Sequence, residues 1–162
     1  MTIKIGDKIP NITLRIMGQD GNPTTMTTEE VFKGKRVVLF ALPGAFTRTC
    51  SKAHLPGFVV NADAIKKKNV DQIVCLSVND AYVMDAWGKN QNVDDNILML
   101  ADGSAEFTKA IGMDEDRTTT GMGIRSRRYA MLVEDGVVKL LNVEAPGEFK
   151  VSSAEAILVA LK

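Results

Sequence analysis

The sequence predicts an α/β domain with a mixed central β-sheet flanked by helices. Three observations carry this prediction. Short unbroken apolar runs, the pattern of strands buried on both faces, recur between residues 35 and 100. Stretches with apolar residues at helical spacing separate them. Beyond residue 128 the chain changes character and closes with a hairpin signature and one more helix, which sets antiparallel strands beside parallel ones.

The elements follow in order. Thr27 and Glu30 stand three residues apart ahead of Val31 and Phe32, a capping box that opens a helix. Residues 35–43, Lys-Arg-Val-Val-Leu-Phe-Ala-Leu-Pro, are entered through charges and left through Pro-Gly, and read as the first buried strand. After Cys50, the residues Leu55, Phe58, Val59, Ala62 and Ile65 recur at helical spacing, with Lys66 to Lys68 where cations favour a helix end. Pro56 lies inside that pattern and is expected to kink the helix, because it cannot donate to the preceding turn. Residues 72–78 and 97–100 are the next buried strands, and 80–91 and 104–111 the next helices. Residues 129–133 and 137–143 flank Glu134-Asp135-Gly136 and read as a β-hairpin with a tight Asp-Gly turn. Ser152 and Glu155 are expected to cap a last helix reaching Ala160. This is a thioredoxin-like layout in one domain over residues 1–162, although the pattern alone leaves a flavodoxin-like sheet open.

Composition narrows the function classes. The 162 residues are 45% hydrophobic and 25% charged, ordinary for a soluble domain with its own core. Twenty Lys and Arg balance twenty Asp and Glu, so there is no electrostatic case for nucleic acid or a membrane surface. No apolar run approaches bilayer length. The start, Met-Thr-Ile-Lys-Ile-Gly, lacks the apolar stretch of a secretion signal, so a cytoplasmic, reducing location is expected. Two cysteines and one histidine are too few for a disulfide framework or a structural zinc site. Gly121-Met-Gly123 lacks the third glycine and the preceding strand of a dinucleotide site, and no cofactor is expected. Cys50-Ser51-Lys52-Ala53 is not the Cys-x-x-Cys of a disulfide exchanger.

The informative segment is Pro43-Gly-Ala-Phe-Thr47-Arg48-Thr49-Cys50-Ser51. It leaves the C-terminal end of the first buried strand, the edge of an α/β sheet where sites collect, and enters the long helix. If Thr47 caps that helix, Cys50 sits in its first turn, where unpaired N–H groups and the positive dipole end favour a thiolate. A thiol with pKa about 8.5 is only a few per cent ionised at neutral pH, whereas one near about 6 is mostly thiolate. Arg48 adds a nearby cation. A lone cysteine is equally a small buried hydrophobe, and the residues by themselves leave both readings open.

The same run, continued through His54-Leu-Pro56-Gly-Phe58, resembles the active-site motif of the peroxiredoxin family. Pro43, Thr47 and Cys50 match its Pro-x-x-x-Thr-x-x-Cys core, and the longer match is similar to the type II, or peroxiredoxin-5-like, branch. Likeness at Asp80-Ala-Tyr-Val-Met-Asp-Ala-Trp87 and at Arg125-Ser-Arg-Arg128-Tyr129-Ala130 extends it over most of the chain. One position departs: Arg48 stands where the branch usually carries Pro, which bears on the rigidity of the loop.

The resemblance implies a thiol peroxidase for hydrogen peroxide and small alkyl hydroperoxides, serving antioxidant defence and redox homeostasis. Cys50 would be the peroxidatic nucleophile, oxidised to sulfenic acid. Pro43 would shield it, and Arg128 and Thr47 would hold the peroxide and stabilise the developing charge. Among Arg125, Arg127 and Arg128 the family pattern selects Arg128, and adjacent strand positions cannot both face the site. Cys75, inside an apolar strand, reads as a core thiol; the resemblance makes it a candidate resolving cysteine. Reaching Cys50 would need local unfolding, so glutathione with glutaredoxin, or thioredoxin, is the expected reductant. His54 lies four residues after Cys50, so a Cys–His pair for acyl transfer is conceivable, but no orienting third group is visible. The resemblance instead places His54 in the packed segment around Pro56. It also implies a homodimer, with Phe46 and Trp87 as interface candidates, although core packing explains Trp87 equally well.

Overall fold

The computed structural model of the chain describes residues 2–161. Its elements in order are β1 (Thr13–Met17), β2 (Pro23–Thr27), α1 (Thr28–Phe32), β3 (Arg36–Leu42), α2 (Leu55–Lys66), β4 (Gln72–Ser77), α3 (Ala81–Asn90), β5 (Leu98–Ala101) and α4 (Glu106–Ala110). There follow β6 (Asp114–Arg117), β7 (Gly123–Ser126), β8 (Tyr129–Glu134), β9 (Val137–Val143) and α5 (Ala154–Ala160). Seven strands form one sheet in the order β2-β1-β5-β4-β3-β8-β9. The pairs β3–β4 and β4–β5 are parallel, and β1–β5 and β3–β8 are antiparallel. The mixed sheet excludes the all-parallel flavodoxin-like alternative and leaves the thioredoxin-like fold.

Strand alternation explains the apolar runs. Val38, Phe40 and Leu42 of β3 point to one face and pack with Phe58 of α2, Trp87 of α3 and Ile157 of α5; Cys50 belongs to this layer. Val37, Leu39 and Ala41 point to the other face and pack with Val31 and Phe32 of α1 and Phe107 of α4. A central strand covered on both sides has no polar face to show, so the period-2 signal vanishes. Each fully buried Leu, Val or Phe contributes about 1.5–3 kcal/mol relative to exposure.

Most predicted ends hold to within two residues. Thr27 and Glu30 form the reciprocal capping box of α1. At the hairpin turn Asp135 and Gly136 have φ of 46° and 79°, the left-handed pair that matches the twist of the flanking strands. Asp135 also accepts from the Gly34 N–H at 2.7 Å, which ties the turn to the start of β3.

Three expectations change. The last helix is capped by Ser153, whose side chain accepts from Ala156 N–H; Ser152 donates instead to Glu144. Pro56 does not kink a regular helix. Residues Cys50–His54 form a wider π-helical turn, with Leu55 N–H donating to the Cys50 carbonyl, and Pro56 then falls in the first turn of α2. Helical residues run without a break from Arg48 to Lys66, so Pro56 lies inside the run, and the wider turn ahead of it is where the i→i−4 ladder is relaxed. Trp87 is fully buried, with its indole N–H donating to Ser51 Oγ at 3.0 Å, so it is a core residue and not an interface one.

The strands β1, β2, β6 and β7 carry too little apolar alternation to be legible. Strands β6 and β7 pair as a separate two-stranded ribbon. Gly121 and Gly123, with φ of 78° and 68°, are turn glycines of that ribbon, which explains their spacing without a nucleotide.

Candidate active site

β3 delivers the site. It ends at Leu42, and residues 43–49 turn back across the sheet edge to place Cys50 at the start of the π-helical turn. Several contacts hold this loop. Ala45 N–H donates to Asn79 Oδ1 at 2.9 Å, and that oxygen also accepts from Ser77 Oγ at 2.6 Å. Arg125, carried by the small ribbon, donates through Nη1 to the Pro43 carbonyl at 3.4 Å and through Nε to the Met122 carbonyl at 2.8 Å. Gly44 passes close beneath it: a Cβ there would meet Arg125 Nη1 at 2.9 Å. Phe46 sits at the loop tip with φ of 63°, a costly conformation for an aromatic residue, and the residue is 53% exposed.

Thr47 precedes the first helical residue, as expected. Its hydroxyl does not cap the helix; it donates to the Gly44 carbonyl at 2.7 Å, and its backbone carbonyl accepts from Ser51 N–H. The Thr47 proton is therefore committed within the loop, and its oxygen is left to accept. Cys50 is in the first turn and fully buried.

Arg128 reaches the sulfur. Nη2 lies 3.2 Å from Cys50 Sγ, and Nη1 lies 2.8 Å from His54 Nδ1. The parity of β8 explains why it is this arginine. Ala130 and Leu132 belong to the Cys50 layer and Tyr129 and Met131 to the other, so Arg128 continues the first row and Arg127 the second. Among the described residues no carboxylate lies within ion-pair distance of Arg128. Its guanidinium lies 5.7 Å from the centre of the Phe149 ring. Arg128, half-buried, also lines a small hollow together with Pro43, Thr49, Arg127 and Glu148.

His54 is buried between Phe40, Phe58 and Phe149, with ring centres 5.0, 5.7 and 4.9 Å away. Nε2 lies 2.9 Å from the Ser152 carbonyl. Its partners assign its protons: a guanidinium can only donate and a carbonyl can only accept, so Nδ1 is bare and Nε2 carries the hydrogen. Burial, and then the charge of Arg128, push its pKa down to about 3. The imidazole is neutral, and its partners make it unsuited to act as a base toward Cys50.

Cys75 lies in β4 opposite Phe40 and is fully buried in the same layer as Cys50. Both cysteines are free. Burial, with Cys50 nearby as a lesser cause, pushes the Cys75 thiol well up from its ordinary range. No group of metal-ligating side chains occurs among the described residues, nor any helix long and apolar enough to cross a membrane.

Comparison with known proteins decides the family. The Redoxin family profile matches residues 4–158. The chain belongs to the Redoxin family, as a type II peroxiredoxin. It is 45% identical to peroxiredoxin-2C of Arabidopsis thaliana over 98% of both chains. It is 48% identical to the chloroplastic peroxiredoxin-2E of the same plant, over 99% of this chain and 70% of that protein. The crystal structure of reduced Prx3 from Vibrio vulnificus in complex with hydrogen peroxide superposes with a TM-score of 0.95 at 55% identity, covering 99% of this chain and all of that one. Peroxiredoxins are thiol-dependent peroxidases, and this chain is an oxidoreductase of that class.

The sequence reading missed Asn79 and Arg125 as braces of the loop, and Glu144 and Ser152 behind His54. Each meets the site from a distant point in the chain, His54 and Arg128 being 74 positions apart. Only the buried polar character of His54 amid apolar neighbours hinted that it needed partners.

Proposed function

We propose that this peroxiredoxin reduces hydrogen peroxide and small alkyl hydroperoxides at Cys50, and that an external thiol reduces it afterwards. The observation that carries the reading is the 3.2 Å contact between Arg128 Nη2 and Cys50 Sγ at a helix start. A cation there stabilises the thiolate and then the charge that develops on the leaving oxygen. The sulfur attacks one peroxide oxygen; an S–O bond forms, the O–O bond breaks, and the other oxygen leaves with the electron pair. It takes up a proton to become water or an alcohol, and Cys50 becomes a sulfenic acid. Thr47 Oγ, its own proton held by Gly44, accepts from the peroxide O–H and orients it. Pro43 walls the hollow. The Vibrio vulnificus relative solved with hydrogen peroxide supports that substrate.

Rapid mixing with hydrogen peroxide, followed by sulfenic acid trapping, tests the reading. Oxidation orders of magnitude faster than that of a free thiol is expected; a rate equal to a free thiol's rejects it.

Glutathione with glutaredoxin, or thioredoxin, is proposed as the reductant because Cys75 is a poor resolving thiol: it is fully buried, protonated and part of a strand ladder. Turnover of Cys75→Ser with these reductants is expected within about twofold of the parent. Loss of turnover with every reductant, together with a Cys50–Cys75 link in the peroxide-treated parent by mass spectrometry, would assign resolution to Cys75. A cytoplasmic role in antioxidant defence and redox homeostasis belongs to the same proposal, and fractionation of the source cells tests its place. So does a homodimer through the active-site edge, for which the exposed, strained Phe46 is the marker; sedimentation as a monomer at micromolar concentration would exclude it.

A further inference from the structure

We propose that His54 is a positioning residue for the peroxidase reaction: as a neutral imidazole it fixes the Arg128 guanidinium against Cys50 and leaves the full positive charge free to act on the sulfur and the peroxide. This rests on Cys50 being the nucleophile.

The geometry is a closed ring of hydrogen bonds. Arg128 Nη1 donates to His54 Nδ1, and His54 Nε2 donates to the Ser152 carbonyl. Ser152, through its N–H at 2.8 Å and its hydroxyl at 2.6 Å, donates to Glu144 Oε2, which also accepts from the N–H groups of Lys150 and Val151. Glu144 N–H donates to the Arg128 carbonyl at 3.0 Å and closes the ring. Burial opposes the charge on Glu144, but the bonds from Ser152, Lys150 and Val151 outweigh it and hold the carboxyl below its usual range. A fixed carboxylate therefore shapes the 150–152 turn, the turn aims Ser152, and Ser152 sets the tautomer of His54.

The choice of a histidine has a physical reason. A long arginine side chain needs a second anchor to hold one rotamer, and the usual anchor is a carboxylate. A carboxylate here would pair with Arg128, cancel much of its field at the sulfur 3.2 Å away and favour the protonated thiol. A neutral ring nitrogen anchors the guanidinium and cancels nothing. Burial among three aromatic rings keeps the imidazole uncharged, and the Phe149 ring under Arg128 stabilises its charge without neutralising it.

Four variants and one spectrum test this. His54→Phe keeps an aromatic ring but loses both bonds, and is expected to slow oxidation of Cys50 by hydrogen peroxide about 10- to 100-fold. His54→Asn can offer Oδ1 where Nδ1 stood and is expected to recover most of the rate, whereas His54→Gln, which reaches Ser152, is not. His54→Asp should hold Arg128 yet move the thiolate titration of Cys50, followed by ultraviolet absorbance, to higher pH. The unaltered protein supplies a readout independent of folding. His54 is the only histidine, so nitrogen NMR reads it without ambiguity, and it is expected to stay in the neutral Nε2–H form below its ordinary midpoint of about 6.5. Parent-like oxidation rates in His54→Phe, an unmoved titration in His54→Asp, or an imidazole titrating at its ordinary midpoint would each overturn the proposal. Slow oxidation of the unaltered protein would instead reject Cys50 as a peroxidatic thiol, a distinguishable failure.

Discussion

Cys50→Ser is expected to abolish peroxide consumption with every reductant while leaving the fold intact. Serine occupies nearly the same volume, and its hydroxyl can accept from Arg128 Nη2 where the sulfur stood, so the cost to stability is small beside the chemical loss. A hydroxyl is essentially never ionised at neutral pH, whereas even an unperturbed thiol is a few per cent thiolate and intrinsically far more nucleophilic. The remaining thiol cannot substitute. Cys75 is enclosed in β4, has its ionisation suppressed by burial, and among the described residues has no arginine bonded to its sulfur. The check is consumption of hydrogen peroxide by the variant with glutathione and glutaredoxin, and separately with thioredoxin. Activity above background in either would mean that a second group attacks peroxide, and the assignment of Cys50 would fail.

Arg128→Met is expected to lower the rate of Cys50 oxidation by about 10²- to 10³-fold, the usual cost of removing one well-aimed donor from a developing negative charge. Methionine keeps the length of the stem and removes the cation and both donors. Two effects combine: the thiolate loses the guanidinium 3.2 Å from its sulfur, and the leaving oxygen loses its stabilising partner. Arg128→Lys should recover only part of the rate. A single ammonium cannot reach Cys50 and His54 together in the planar, two-pronged arrangement observed. Stopped-flow oxidation together with the pH titration of the thiolate separates the effects. A loss that persists above the thiolate midpoint belongs to the transition state, and one that disappears there belongs to ionisation. A parent-like rate in Arg128→Met at neutral pH would remove Arg128 from the mechanism.

Much of this was legible in residue order because it rests on local rules. A capping box is a four-residue event, and Thr27 and Glu30 announce it. An Asp-Gly pair between apolar runs needs no distant partner to make a tight turn, and Asp135-Gly136 makes one. The strands β1 and β2 were silent for the opposite reason. Leu14 of β1 gains its apolar environment only from residues distant in the chain, such as Phe107 of α4, and most residues of β1 and β2 are polar or exposed. The π-helical turn at Cys50 was equally hidden: Pro56 shows that a regular ladder must break, but not how the break is absorbed.

The residue order by itself determined an α/β domain and a cysteine at the end of its first buried strand, because both follow from short-range patterning, and the motif around Cys50 carried the family resemblance; the sheet order then excluded the flavodoxin-like alternative. Strand alternation showed that Arg127 and Arg128 cannot both face the site, and the family resemblance chose Arg128; the layers on either side of β8 supply the reason. Only the tertiary structure decided how that arginine is held. The ring through Glu144, Ser152 and His54 joins segments as much as 98 positions apart, as between His54 and Ser152. Hydrogen bonds of that kind depend on distances of a few tenths of an ångström between elements that meet only after the sheet has closed.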